Sequence, residues 1–215
     1  MKQLSTHVIF RVFGIGLMLI AVVVGMTVIP GSLSALPEEP PAGASGMVQK
    51  IPFTTGLAIR KAVIVPAPVD TVWDAWTTEK GVITFFAPEA SVELAVGGNY
   101  EMYFAPDQPK GLRGGEGCKI LSFVPGEMLS FTWNAPPSLP QVRKEFTWVV
   151  LYFKALENNK TQVSMIHLGW QVGEEWQKAL QYFDKAWEVV LGRLQYRFQN
   201  QPIDWKNPFT PGKNS

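Results

Sequence analysis

The sequence predicts an α+β domain in which a curved antiparallel sheet wraps around one long C-terminal helix. Several short segments, with apolar and polar residues in alternation and turn residues between them, follow one another over residues 91–170, as in an antiparallel meander. One strand and two short helical segments precede this meander. After it comes a long segment whose apolar residues recur at spacings of three and four, which is typical of an amphipathic helix.

The domain begins with a strand and two short helices. We predict the strand over residues 57–65, because LAIRKAVIV is rich in β-branched residues and is followed by a proline. Pro68 and Asp70 then suit the first turn of a helix, where a missing N–H is tolerated and a carboxylate is favoured by the helix dipole. A second short helical turn is predicted over residues 82–86, ending before Pro88.

Six further strands are predicted from the alternation and the turn residues. Tyr100, Met102 and Phe104 illustrate the pattern, since they fall on one side of a strand while Glu101 and Tyr103 fall on the other. The last two strands should form a hairpin that turns at residues 157–160. The predicted bounds are 91–96, 100–104, 118–124, 128–134, 144–156 and 161–170.

The C-terminal segment is predicted to be a single helix of about 37 Å, estimated from a rise of about 1.5 Å per residue. Its apolar stripe consists of Trp176, Leu180, Phe183, Trp187, Val190, Leu194 and Phe198. A helix of this length is best accommodated with the stripe along the concave face of the sheet. The tail from Gln201 contains several prolines, and we expect it to be flexible and loosely packed.

An uncharged segment, VFGIGLMLIAVVVGMTVI, occupies residues 12–29 near the N-terminus. At about 1.5 Å per residue it is roughly 27 Å long, enough to cross a bilayer, so a single-pass anchor is predicted. Lys2 and Arg11 precede the segment, which places the N-terminus in the cytoplasm and the domain on the extracytoplasmic side. The alternative is a signal peptide cleaved near Ala35, which would give a secreted or periplasmic protein.

The predicted organisation therefore has four parts. Residues 1–30 form the anchor or signal segment, and residues 31–55, rich in proline and glycine, form a linker. The folded domain extends over residues 56–200, and residues 201–215 form the tail.

Charge and cysteine content exclude several functions. The chain has 19 Lys and Arg against 18 Asp and Glu, without a basic cluster, which argues against a nucleic-acid surface. Cys118 is the single cysteine, so neither an intramolecular disulfide nor a thiolate metal cluster is expected. We expect no metal and no other cofactor.

Several strings of the sequence resemble a known family. APVDTVWDAWTTEKGVITFFAP, GGNYEMYF, LSFVPGEMLSFTW and VSMIHLGW, followed by the Trp-rich helix, are similar to the activator of heat-shock-protein-90 ATPase homologue family. This family belongs to the START-related, or SRPBCC, superfamily. The resemblance covers residues 56–199 and implies a helix-grip fold. It also implies a cavity between the sheet and the long helix that holds lipids or other apolar small molecules.

Chaperone activation is not carried over by this resemblance. The co-chaperone that names the family has a separate chaperone-binding domain before this one, and residues 30–56 are too few to form it. An exported domain would in addition not meet a cytosolic chaperone.

The candidate ligand-binding residues are mostly large apolar side chains predicted to face the interior. Residue by residue, large apolar side chains are more often ordinary hydrophobic core than ligand contacts, and the interior volume under one helix is what favours a pocket. Tyr100, Tyr103 and His167 would be the few polar groups of such a pocket. The candidates are Trp73, Trp76, Phe85, Phe86, Tyr100, Met102, Phe104, Trp133, Trp148, His167, Phe183 and Trp187.

His167 is the candidate for chemistry. It shares a strand face with Val163 and Met165, so it should point into the fold. It could orient a ligand or act as an acid or base, or it could be a hydrogen-bonded core histidine. The leading hypothesis is non-catalytic binding of an apolar or amphipathic small molecule at a membrane. The alternatives are an enzyme that uses His167 and a protein-interaction module.

Overall fold

The computed structural model describes residues 57–212. The predicted anchor at residues 12–29 and the linker at residues 31–55 lie outside this range. Over the part of the chain that is described, no helix combines the length and apolarity needed to cross a bilayer.

The described residues form seven strands and three α-helices in the predicted order. The sequence-based prediction of an α+β domain with two short helices after the first strand is confirmed. A short 3₁₀ turn, Val142–Lys144, precedes β6 and replaces the start of the predicted strand 144–156. The elements are β1 Ile59–Val65, α1 Val69–Thr77, α2 Glu79–Val82, β2 Glu89–Val92, β3 Tyr100–Tyr103, β4 Ile120–Val124, β5 Met128–Trp133, β6 Thr147–Leu156, β7 Lys160–Leu168 and α3 Glu174–Gln199.

The strands form a curved antiparallel sheet with the order β1-β7-β6-β5-β4, and a separate ribbon of β2 and β3. A bridge between Asn99 and Lys119 connects the ribbon to the main sheet. The predicted hairpin joins β6 to β7, and Asn158 and Asn159 both have left-handed φ angles, of 59° and 52°. Asparagine tolerates this conformation, and residues 157–159 form a three-residue connection between the paired Leu156 and Lys160.

Side chains alternate between the two faces of β6 and β7. Val163, Met165 and His167 of β7 are buried, as predicted. On β6, Thr147 and Val149 are buried, whereas Trp148 between them is 43% exposed. The expectation that Trp148 lines the interior is therefore wrong, because successive side chains of a strand point to opposite faces.

Helix α3 is attached to β1 by a buried lysine. The Lys61 ammonium is 2.7 Å from Glu188 and 3.1 Å from Asp184, both on α3. Lys61 itself is only 2% exposed, while the two carboxylates remain partly accessible. The ion pairs fix the position of the helix along the sheet edge.

The interior beneath α3 is filled largely by aromatic rings. Phe86 lies at the centre, with its ring centroid 5.5 Å from those of Trp76 and Trp133 and 5.8 Å from that of Trp187. Such distances are typical of packed aromatic pairs. One continuous cluster thus joins the first helices, the sheet and α3, and it contains Trp76, Phe85, Phe86, Trp133 and Trp187.

The C-terminal tail packs against the domain, contrary to the expectation of loose packing. Ile203 is buried and donates its amide to the Thr84 carbonyl at 2.9 Å. The Trp205 indole donates to the Ile83 carbonyl, and the Phe209 ring stacks on Tyr196 at 4.3 Å. The apolar residues between the prolines therefore hold the tail in place.

Candidate functional site

A pocket of about 540 Å³ lies at one flank of α3. This volume falls within the range of small-molecule sites, about 300 to 1,000 Å³. The helix contributes a stripe of residues at spacings of three and four, and the opposite side is formed by residues 104–105, 112–115 and 133–137. This pocket-facing stripe of α3, which shares Val190 with the main apolar stripe, consists of Tyr182, Lys185, Ala186, Val189, Val190 and Arg193.

The pocket extends from solvent to the aromatic cluster. Phe86, Trp133 and Trp187 line its inner end and are at most 3% exposed. Phe104 and Tyr182 line its outer end and are 45% and 48% exposed. A ligand can therefore enter from solvent and reach buried aromatic surface without unfolding of the domain.

The loops opposite α3 are held by Glu116 and Arg143. Glu116 accepts hydrogen bonds from the amides of Gly111 and Arg113. Arg143 donates to the carbonyls of Gly111, Gly114 and Ala135, which connects the two loops. Burial opposes ionisation of Glu116, but these amides and the Arg113 guanidinium outweigh it and lower its pKa. The pocket wall is thus preformed.

Asn134 is the buried polar residue of the lining. Its Nδ2 donates to the Glu116 carbonyl at 2.7 Å, which fixes the orientation of the amide. Its Oδ1 is buried and has no hydrogen-bond partner among residues 57–212. A buried acceptor without a partner costs about 1 to 3 kcal/mol.

His167 has partners for both ring nitrogens. The Trp187 indole donates to Nδ1 at 2.9 Å, so the proton of the neutral ring is on Nε2. Nε2 then donates to the Thr147 hydroxyl at 2.7 Å, which in turn donates to the Trp133 carbonyl. Burial lowers the pKa of His167 to about 3, so the ring is neutral at ordinary pH. The arrangement is that of a hydrogen-bonded core histidine.

The other two polar candidates are also engaged away from the pocket. The Tyr100 hydroxyl donates to the Trp76 carbonyl, and burial raises its pKa. The Tyr103 hydroxyl donates to Glu101, and burial together with this carboxylate raises its pKa to about 12. Neither tyrosine lines the pocket.

The structure divides the predicted lining residues into three groups. Phe86, Phe104, Trp133, Phe183 and Trp187 line the pocket. Trp148 lies on the outer face of the sheet. The remaining candidates are buried in the core outside the lining, namely Trp73, Trp76, Phe85, Tyr100, Met102 and His167.

Sequence reasoning missed Asn134, Ala186, Val189 and Arg193. The apolar pattern of α3 could have indicated Ala186 and Val189, because these two residues widen the apolar face of the helix beside its main stripe. Asn134 gave no such signal, since it ends a strand and enters a proline-rich loop. Residues 57–212 bring no three His, Cys, Asp or Glu side chains together as a metal site.

Known structures share this architecture at low sequence identity. A protein of Arthrobacter aurescens superposes with a TM-score of 0.56 at 18% identity, covering 74% of this chain and 94% of its own. A Mesorhizobium loti protein superposes with a TM-score of 0.55 at 16% identity, covering 68% of this chain and 100% of its own. The Aha1 dimer of Colwellia psychrerythraea gives a TM-score of 0.51 at 19% identity, covering 67% of this chain and 98% of its own. These likenesses concern the fold alone.

Sequence comparison gives the family. No curated protein matches the chain significantly. The profile of the family described as "Activator of Hsp90 ATPase homolog 1-like protein" matches residues 66–199, more than half of the chain. The chain therefore belongs to the Activator of Hsp90 ATPase homolog 1-like family, within the SRPBCC superfamily.

Proposed function

We propose that the domain binds an apolar or amphipathic small molecule, without catalysis, in the pocket beside α3. The observation that carries the proposal is a preformed pocket of about 540 Å³ with buried aromatic rings at its inner end. Apolar surface buried there by a ligand contributes roughly 25 cal/mol per Å² before the costs of association. A hydrocarbon chain of moderate length matches such a site.

Attachment to a membrane is part of the proposal. The uncharged segment at residues 12–29 supports it by its length and by the basic residues before it. An anchored domain with this pocket would take up its ligand at the extracytoplasmic surface of the bilayer.

His167 is not placed to act as an acid or base on a ligand in this pocket. Both of its ring nitrogens are hydrogen-bonded to protein groups, and the residue does not line the pocket. A general acid or base must reach the reacting group directly or through one water molecule.

The test uses a photoreactive dodecanol with a diazirine in its chain. The full chain is placed in zwitterionic lipid discs, labelled by illumination, and digested for mass spectrometry. We expect labels on residues that line the pocket, particularly those between residues 182 and 193 and between 133 and 137. Labels confined to residues 12–29 would contradict the proposal.

A pocket-filling variant supplies the matched control. Ala186→Phe places a ring in the pocket and should remove most of the labelling there. Ala155→Phe adds the same ring at an exposed position of β6 outside the pocket, so labelling should be unchanged. Equal labelling of both variants would argue against occupancy of this pocket.

A further inference from the structure

We infer that the ligand of this pocket is an anionic amphiphile whose acidic group lies beside Arg193 and Lys185 of α3. This inference rests on the proposed function and names the chemical class of its ligand. It comes from the distribution of charge around the pocket rather than from the pocket's volume.

The charged residues that line the pocket are all basic. In the described part of the chain they are Arg113, Lys185 and Arg193, and no Asp or Glu from that part lines the pocket. Arg113 is already neutralised, because its Nε donates to Glu116 at 2.9 Å and its guanidinium lies over the Tyr103 ring. Two cations on α3 therefore remain to set the polarity of the site.

Arg193 is a half-buried guanidinium without a carboxylate partner. Its Nε donates to the Phe209 carbonyl at 2.8 Å, and the group lies 5.3 Å from the centre of the Trp205 ring. Within residues 57–212, it makes no ion pair. Burial lowers the pKa of Arg193, which means that its environment disfavours the cation. A bound anion would offset this cost.

Lys185 lies two helical turns before Arg193 on the same stripe of α3. It is exposed and makes no ion pair with the residues that the structure describes. The acidic residues closest to it on the helix, Asp184 and Glu188, are bound by Lys61. The positive charge of this flank is therefore available to a ligand.

The experiment compares three photoreactive probes that share one dodecyl chain and differ in the head group. The head groups are carboxylate, alcohol and trimethylammonium, and labelling of the full chain in zwitterionic discs is measured at pH 8.5. Labelling of Ala186→Phe is subtracted as background. We expect half-maximal labelling of the pocket by the carboxylate at about tenfold lower concentration than by the alcohol, and weakest labelling by the ammonium probe, because charge-assisted hydrogen bonds are the stronger ones.

Variants of α3 test the assignment to residues. Arg193→Gln and Lys185→Gln together should reduce the preference for carboxylate over alcohol to about twofold or less. Arg193→Lys keeps the positive charge and should retain most of the preference. Arg197→Gln and Lys178→Gln are the matched controls, since both residues lie on α3 but do not line the pocket.

The two proposals fail in different ways. If alcohol and carboxylate label the pocket equally, or if the double variant keeps the full preference, the inference is wrong and the proposed function stands. If none of the probes labels the pocket, the proposed function is wrong as well.

Discussion

At the scale of single residues, His167 shows how burial determines chemistry. The ring is 0% exposed, and the hydrogen bonds from Trp187 and to Thr147 suit only the neutral form. A cation here would lose hydration without gaining a carboxylate. The residue therefore connects β6, β7 and α3 through neutral hydrogen bonds.

This arrangement predicts a loss of stability in mild acid. The folded-state pKa of about 3 is far below the value of about 6.5 expected in the unfolded chain, so only the unfolded state takes up a proton between these values. The contribution of His167 is complete above pH 6.5 and is lost as the pH falls towards 3. From pH 7 to pH 5 we expect the free energy of unfolding to fall by about 2 kcal/mol on this account.

Urea unfolding at several pH values measures this effect. His167→Gln retains a donor and an acceptor but does not titrate, so its stability should depend less on pH over this range. Parallel pH profiles for the two proteins would show that the ring is not held neutral.

Single residues also show what sequence reasoning could reach. Alternation along β7 placed His167 inside, and the structure confirms that position. Trp148, a candidate for the pocket lining, lies on the outer face instead, because the adjacent Thr147 and Val149 of β6 point inward. Strand geometry outweighs hydrophobicity in deciding which face a side chain occupies.

At the scale of secondary-structure elements, α3 is attached to β1 by the ion pairs of Lys61 with Asp184 and Glu188. We expect removal of the carboxylates to cost more stability than removal of the lysine. Removing the carboxylates in Asp184→Asn with Glu188→Gln leaves the Lys61 ammonium buried without a counter-ion. We expect a cost of about 3 kcal/mol. Lys61→Met leaves two partly exposed carboxylates that water can solvate, so it should cost about 1 kcal/mol or less.

Thermal or urea unfolding of both variants decides between this account and simple pairwise attraction. The control substitution Glu174→Gln, in an exposed salt bridge with Lys178, should leave the stability nearly unchanged, because solvent screens an exposed ion pair. Equal losses from the two sides of the Lys61 cluster would contradict the expected asymmetry.

Elements were more predictable than their bounds. The strong periodicity of α3 and the alternation of β5 to β7 indicated these elements correctly. The strand expected at residues 91–96 is Glu89–Val92 instead, because the ribbon pairs Val92 with Tyr100 and turns immediately afterwards. Pairing partners set strand ends, and one sequence does not reveal the partners.

At the scale of the whole domain, the pocket arises where α3 leaves space beside two loops. The aromatic cluster fills the interior under the helix, so the site lies at its flank rather than in an enclosed hollow. The sequence indicated the residues of the inner end. It could not indicate the loop residues, whose positions depend on Arg143 connecting segments distant in the chain.

The most direct test of this account is an experimental structure of the full chain soaked or co-crystallised with dodecanoate. We predict that the hydrocarbon chain lies between α3 and residues 133–137, with its end near Trp133 and Trp187 and its carboxylate beside Arg193. The account would be contradicted if Phe104 and Tyr182 closed over an empty pocket while the probe bound elsewhere.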